Sequence, residues 1–197
     1  LRRFWLRPAA IGAVGLIAAL GPWRDTLALG QINIILFAMV MVDFLNRSEQ
    51  WPRGLLTGVA AGLKLTPLAF AFYYLVRGDW RGLRNMAFGF LATFGLGFLI
   101  LPRESKTYWG ELLPDTSRVG GGAYVDNLSF RGALLHFAGP EADVTVPWLL
   151  LCLAAAAAAA VIIRLATMAG MDLLALTAAA LLMLLASPVS WSHHWVW

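Results

Sequence analysis

The chain has 197 residues, of which 60% are hydrophobic and 13% charged, with a net charge of +4. Soluble domains carry roughly 25% charged residues, so this composition excludes a soluble enzyme, a disordered chain and a collagen-like one. It leaves an all-α polytopic membrane protein; a β-barrel is excluded because the apolar segments are continuous rather than alternating.

Apolar runs occupy residues 8–22, 27–45, 54–76, 83–101, 147–163 and 171–187. A membrane span needs about 20 residues, so most of these runs suffice once interfacial residues are included; the first is short and contains Pro8. The small residues of Ala154–Ala160 and Ala178–Ala180 suit close helix packing in lipid. Arg2, Arg3 and Arg7 precede the first run, Arg47 and Arg53 lie between the second and third, Arg77, Arg81 and Arg84 between the third and fourth, and Arg164 follows the fifth. The positive-inside rule puts all of them in the cytoplasm. This is the pattern of basic loops on a membrane protein, and nothing in it calls for nucleic acid.

That assignment gives the run 54–76 basic flanks on one side only, which a single crossing cannot satisfy. Its middle reads Gly62-Leu-Lys-Leu-Thr-Pro67. Proline removes a helix hydrogen bond and clashes with the preceding turn, and a mid-membrane lysine costs about 2.5–3.5 kcal/mol. The expectation is therefore a re-entrant hairpin of two half-helices, 54–63 and 68–76, with Lys64 at its tip; one kinked span is the rival. With the hairpin there are about five spans. The loop 102–146, carrying four basic and six acidic residues, then lies outside, together with residues 22–31 and the polar stretch that follows residue 187.

Several side chains on that face suit chemistry. Lys64 is either a snorkelling lysine or a point charge for an anion such as a lipid-linked phosphate. His193 and His194 stand within Trp191-Ser-His-His-Trp195. An interfacial aromatic belt explains the tryptophans but not two histidines. Adjacent histidines diverge by about 100° on a helix, which makes a shared metal a poor fit; sugar or phosphate contacts and proton movement suit them better. Gln31 and Asn33 either cap the second run or offer donors and acceptors to a polar ligand. In the long loop, Gly120-Gly121-Gly122 is a flexible connection or a weak phosphate cradle, and Arg118 and Arg131 are further candidates for a phosphate. Asp115, Asp126, Glu104 and Glu111 read as solvated acids and His136 as a surface or structural residue. Cys152 is the only cysteine, which excludes a disulfide framework or a cysteine zinc site.

Three motifs occur in a fixed order: Leu29-Gly-Gln-Ile-Asn33, Gly62-Leu-Lys-Leu-Thr-Pro67 and Ser187-Pro-Val-Ser-Trp-Ser-His-His-Trp195. Together they resemble the polytopic glycosyltransferases of family 87, which include actinobacterial polyprenyl-phosphate-mannose-dependent α-1,2-mannosyltransferases. The resemblance covers nearly the whole chain. It implies a GT-C-type transmembrane bundle formed by residues 1–197 as one domain, with 102–146 as its extracytoplasmic loop. It implies an integral plasma-membrane enzyme that moves mannose, with inversion, from a polyprenyl-phosphate donor to a glycolipid or lipoglycan acceptor on the extracytoplasmic face. No cofactor beyond this co-substrate, and no metal ligand, is assigned. The positions that match the family's pattern are Gln31, Asn33, Lys64, Pro67, Asn127, Ser129, His193 and His194. In the mechanism this suggests, Lys64, with Arg131 or Arg118, holds the donor phosphate. Gln31, Asn33, Asn127, Ser129 and Trp191 fall on substrate, and His193 and His194 in the catalytic site. The family often has glutamine where this chain has Leu128. The general base is expected upstream, the chain reading as a later portion of a longer protein. A transporter or lipid flippase, or a non-catalytic subunit of envelope glycan assembly, are the alternative classes.

Overall fold

The computed structural model describes residues 2–46, 48–115 and 121–197, and these are helical with connecting turns. Helices α1 (Arg2–Ala19), α2 (Gly21–Ala28), α3 (Asn33–Leu45), α4 (Leu55–Leu63), α5 (Ala71–Arg77), α6 (Trp80–Ile100), α7 (Pro102–Thr107), α8 (Phe130–Ala138), α9 (Thr145–Met168) and α10 (Asp172–Ala186) follow one another, with short 3₁₀ turns at Thr66–Phe70 and Ser192–His194. Two of them, α6 and α9, are long and apolar enough to cross a membrane. Their outward residues are apolar: Leu99 on α6 is 82% exposed and Leu153 on α9 is 67% exposed, the inside-out pattern of helices solvated by lipid. The second apolar run is not one helix. Residues 29–32 form a turn, and the preceding polar stretch coils into α2 behind Pro22, proline being pre-organised for a first helical turn. Pro8 sits inside α1.

The run 54–76 breaks where the sequence places the break. α4 ends at Leu63, and Lys64 is extended (φ −149°, ψ 126°), because Pro67 has no N–H to return to the carbonyl of Leu63. The 3₁₀ turn and α5 then run back. Gly78, at φ +68°, closes α5, its N–H bonded to Leu75 O while Asp79 N–H bonds to Tyr74 O. The Asp79 carboxylate then caps α6 by accepting from Gly82 N–H at 2.8 Å. Both ends of the segment meet at Gly82. A Cβ there would lie 2.5 Å from the Tyr74 ring, and one on Gly54 would lie 2.1 Å from Gly82 O. In a single helix, residues 54 and 74 would stand about 30 Å apart.

α4 packs against α6 through glycines rather than through the alanine runs. A Cβ on Gly58 would come 2.0 Å from Met86 O, and one on Gly89 would come 2.3 Å from Leu55 O. The alanines behave unevenly: Ala178, Ala179 and Ala180 are buried, but of Ala154–Ala160 only Ala159 is. Gly58→Ala is expected to force the two helices apart and cost about 1–3 kcal/mol, as overpacking does. Thermal melting of the purified protein measures this, with Gly95→Ala as a control that does not lower the midpoint, since a Cβ at Gly95 meets nothing within 4 Å and alanine is the better helix former.

α3 is tied to this hairpin at both ends. At the far end from Lys64, the buried Asp43 carboxylate accepts from Trp51 Nε1 at 3.0 Å, Gly54 N at 3.0 Å, Thr57 N at 2.9 Å and Thr57 Oγ1 at 2.7 Å. It thereby satisfies N–H groups at the start of α4 that have no partner within their own helix. The core between these ties holds Leu36, Val40, Ala60, Ala61, Phe70, Tyr73, Tyr74 and Met86, continued by Ile163, Ala166 and the alanine face of α10.

Candidate functional site

The polar residues cluster at the Lys64 end of the bundle. Lys64 Nζ donates to Asn33 Oδ1 at 2.7 Å. The Asn33 amide in turn donates through Nδ2 to the His193 carbonyl at 2.8 Å, and that carbonyl also accepts from Thr26 Oγ1 at 2.7 Å. Three elements, α2, α3 and the hairpin tip, thus converge on the 3₁₀ turn at Ser192–His194. Asn33 is 4% exposed and Thr26 fully buried. Lys64 itself is half-buried, and among the described residues it has no carboxylate within ion-pair distance. A cation with only a neutral amide beside it is a ready partner for an anion.

The two imidazoles stand edge to face, 4.5 Å between centroids. His194 Nδ1 accepts from Trp191 N–H at 3.2 Å, which puts the proton of the neutral ring on Nε2. Burial, then the Lys64 charge and His193, hold the His194 pKa down at about 3. His193 is also lowered, first by burial and then by Lys64, with Asp126 and Asp25 pulling the other way. At neutral pH this end of the site therefore carries one cation, Lys64, and two neutral rings. The unfolded chain takes up a proton at an ordinary histidine pKa of 6.5, whereas folded His194 resists it. The stability so linked is full above about pH 6.5 and is lost as pH falls toward about 3. The melting temperature is expected to drop on acidification from pH 7.5 to 5, and to drop less in His194→Asn, which has no proton to take up.

Ser192 Oγ lies 3.1 Å from Asp126 Oδ2 and 3.4 Å from Asp25 Oδ2, so two carboxylates border the same turn. Sequence reasoning treated Asp126 as a solvated acid and passed over Asp25, Thr26 and Ser192. Their only signal was a polar stretch outside the apolar runs, because the pairing joins residues 167 positions apart.

The remaining predicted residues fall in different places. Gln31 is exposed in the turn before α3, at the rim of the cluster. Trp191 is half-buried, with its ring edge-on to Tyr124 at 5.3 Å. Asn127 and Ser129 are each 1% exposed, and the structure spends their polar atoms on the chain itself. Asn127 donates to Gly122 O and Pro188 O and accepts from Ser190 N at 2.9 Å. Ser129 caps α8 by accepting from Gly132 N at 3.1 Å and also contacts Pro188 O. Expected on substrate, this pair instead fastens the long loop to residues 188–190. Arg131, expected on the donor phosphate, lies on α8 with its guanidinium 5.6 Å from the Trp148 ring centroid of α9. Its helix packs against α9 and α10. Arg118 lies outside the described residues, as do Gly120 and Arg47. His136 faces Tyr124 O at 3.1 Å. Among the described residues, no three His, Cys, Asp or Glu side chains are grouped as a metal site would need.

Comparison with known proteins places this cluster in a family. The chain is 37% identical over its whole length to the polyprenol-phosphate-mannose-dependent alpha-(1-2)-phosphatidylinositol mannoside mannosyltransferase of Mycobacterium tuberculosis, and covers 46% of that protein. The protein of the same name from Mycolicibacterium smegmatis is 36% identical, again with 100% of this chain and 46% of the relative covered. A phosphatidylinositol pentamannoside mannosyltransferase of M. smegmatis is 34% identical over 91% of this chain and 44% of its own. The chain thus spans about half the length of the curated relatives it matches. No solved structure matches it. The profile of glycosyltransferase family 87 matches residues 1–188, and the chain belongs to that family of membrane glycosyltransferases.

Proposed function

We propose that this chain supplies the donor-phosphate end of a polyprenyl-phosphate-mannose-dependent α-1,2-mannosyltransferase acting on a phosphatidylinositol mannoside or related lipoglycan. The observation that carries this reading is Lys64, a cation held at a helix break by Asn33, with no carboxylate within ion-pair distance among the described residues, beside neutral His194. In the reaction, an acceptor hydroxyl attacks the anomeric carbon of the β-linked donor from the face opposite the phosphate. The C–O bond to the phosphate breaks as the new glycosidic bond forms, and the centre inverts to an α-mannoside. Positive charge spreads over the sugar and negative charge grows on the departing phosphate. A preorganised cation placed where that charge develops is the kind of group that lowers such a barrier most. Lys64 fills this role.

His194 offers Nε2–H as a hydrogen-bond donor, since Nδ1 is engaged by Trp191. That suits orienting the phosphate or an acceptor oxygen, directly or through a bound water, and not removing the acceptor's proton. The acceptor's proton goes to a general base other than His194.

The hairpin tip, the turn at Ser192–His194 and the loop carrying Asp126 share one end of the bundle, while Arg53 and Arg77 sit at the other. This supports a re-entrant hairpin opening to the extracytoplasmic face, with α6 and α9 among the spans and the basic end in the cytoplasm. The test is transfer of radiolabelled mannose from polyprenyl-phosphate-mannose to lipid by membranes containing the full-length protein. Labelled α-mannoside in the lipid fraction is expected. Movement of the donor across the bilayer without transfer would point to a flippase instead, and neither result to an assembly subunit.

A further inference from the structure

Beside His194 lies a small, partly open cavity that the donor-phosphate reading leaves unused. It has a volume of about 10 Å³ and is lined by Asn33, Thr66, Ser187, Ser190, His194 and apolar residues of α3 and α10. That is room for one water and no more. One wall is an anomaly: Ser190 is 1% exposed and its Oγ has no hydrogen-bond partner. Leaving a buried hydroxyl unsatisfied is costly, because it gives up its bonds to water with nothing in return. The other polar walls are already committed. The Asn33 amide serves Lys64 and His193 O, and Ser187 Oγ donates to Val189 O at 2.7 Å. Three polar groups remain to receive a water: Ser190 Oγ, the Thr66 hydroxyl and the His194 ring, whose Nε2 makes no hydrogen bond among the described residues. Buried waters are typically held by about three such bonds.

We propose that this cavity binds one structural water, coordinated by Ser190 Oγ, Thr66 Oγ1 and the His194 imidazole, and that Ser190 is thereby a positioning residue for His194. Thr66 lies two residues beyond Lys64 on the hairpin tip, so the water pins the tip to the histidine turn. Trp191 N–H fixes one edge of the His194 ring and the water fixes the other. Together they set the tautomer and the ring plane before substrate arrives. The consequence for catalysis rests on the transferase reading above; the water site itself does not.

Two measurements on the full-length protein decide it. A structure at a resolution that shows other buried waters is expected to show ordered density within hydrogen-bond distance of Ser190 Oγ; a dry cavity overturns the proposal whether or not the protein transfers mannose. In the transfer assay, Ser190→Ala removes the hydroxyl and Ser190→Thr keeps it but fills the cavity with a methyl group. Both are expected to lower kcat about tenfold, a scale usual for loss of orientation, with KM for the donor little changed. If only Ser190→Ala is impaired, the hydroxyl acts directly and the water is rejected; wild-type kcat in Ser190→Ala rejects a positioning role. Should either variant fold poorly, the density in the wild-type protein still gives the answer. Absence of transfer by the wild type would overturn the enzyme reading and leave the water to be judged by its density.

Discussion

Replacing Lys64 by methionine in the full-length protein is expected to lower mannosyl transfer by on the order of 10²-fold or more, the scale of a lost preorganised electrostatic group. Methionine keeps an unbranched apolar stem near the tip of the hairpin and removes only the charge and the bond to Asn33 Oδ1. The loss belongs to kcat, because the charge on the departing phosphate grows most in the transition state. Lys64→Arg is expected to recover part of the activity: the charge is kept, but the planar guanidinium is broader than an ammonium and does not fit a point-charge site equally well. Turnover of Lys64→Met near that of the wild type would remove the cation from the mechanism. Lys64 donates its bond at a position already held by Pro67 and by the return of α5, so the fold is expected to survive the change. A melting temperature within a few degrees of the wild type checks this.

The second large effect is on stability and arises at the opposite end of the hairpin. Asp43→Ala is expected to destabilise the protein by about 3 kcal/mol or more, because it strands several buried donors at once. Trp51 Nε1, Gly54 N–H, Thr57 N–H and the Thr57 hydroxyl all point at that one carboxylate, which is fully buried. Asp43→Asn is not a neutral repair, since its NH₂ group faces N–H donors that need an acceptor. Glu49→Ala, an exposed acid on the same connection, is expected to stay within about 0.5 kcal/mol. Denaturation of the detergent-solubilised protein measures all three; an Asp43→Ala midpoint equal to that of Glu49→Ala would show that α4 does not depend on this cap. The geometry adds a functional consequence. Asn33 and Asp43 stand about 15 Å apart on α3, and each bonds the opposite end of α4. Loosening the Asp43 tie therefore frees the helix that carries Lys64.

Much of this was legible before any coordinates. A lysine next to a proline three residues on, in the middle of an apolar run, marked both a helix break and a charge that lipid would not tolerate. The break falls at Lys64 for the local reason foreseen, the missing proline N–H. Asn33, His193 and His194 were singled out as polar residues in unusual company, and they meet Lys64. What the sequence left hidden has a common cause. Asn127, Ser129 and Arg131 carry residue types that suit substrates equally well, and nothing local shows whether an amide will face a ligand or a backbone carbonyl sixty residues away. The alanine runs advertised close packing, yet the tightest helix contact uses glycines spaced along α4 and α6, a pairing invisible until the two helices are side by side. Asp43 gave no signal either: one acid at the end of an apolar run looks like a boundary marker.

The sequence by itself determined the solvent, the helical class, the hairpin break and the chemical types gathered at one end, because these follow from local hydropathy, proline sterics and the cost of burying charge. The tertiary structure alone decided which of those polar groups are free to act. Among the described residues Lys64 has no carboxylate partner and His194 carries its proton on Nε2, while Asn127, Ser129 and Asp43 bond to the chain itself. That division depends on hydrogen bonds between residues far apart in the chain, where a buried donor takes whichever acceptor the packing brings within reach.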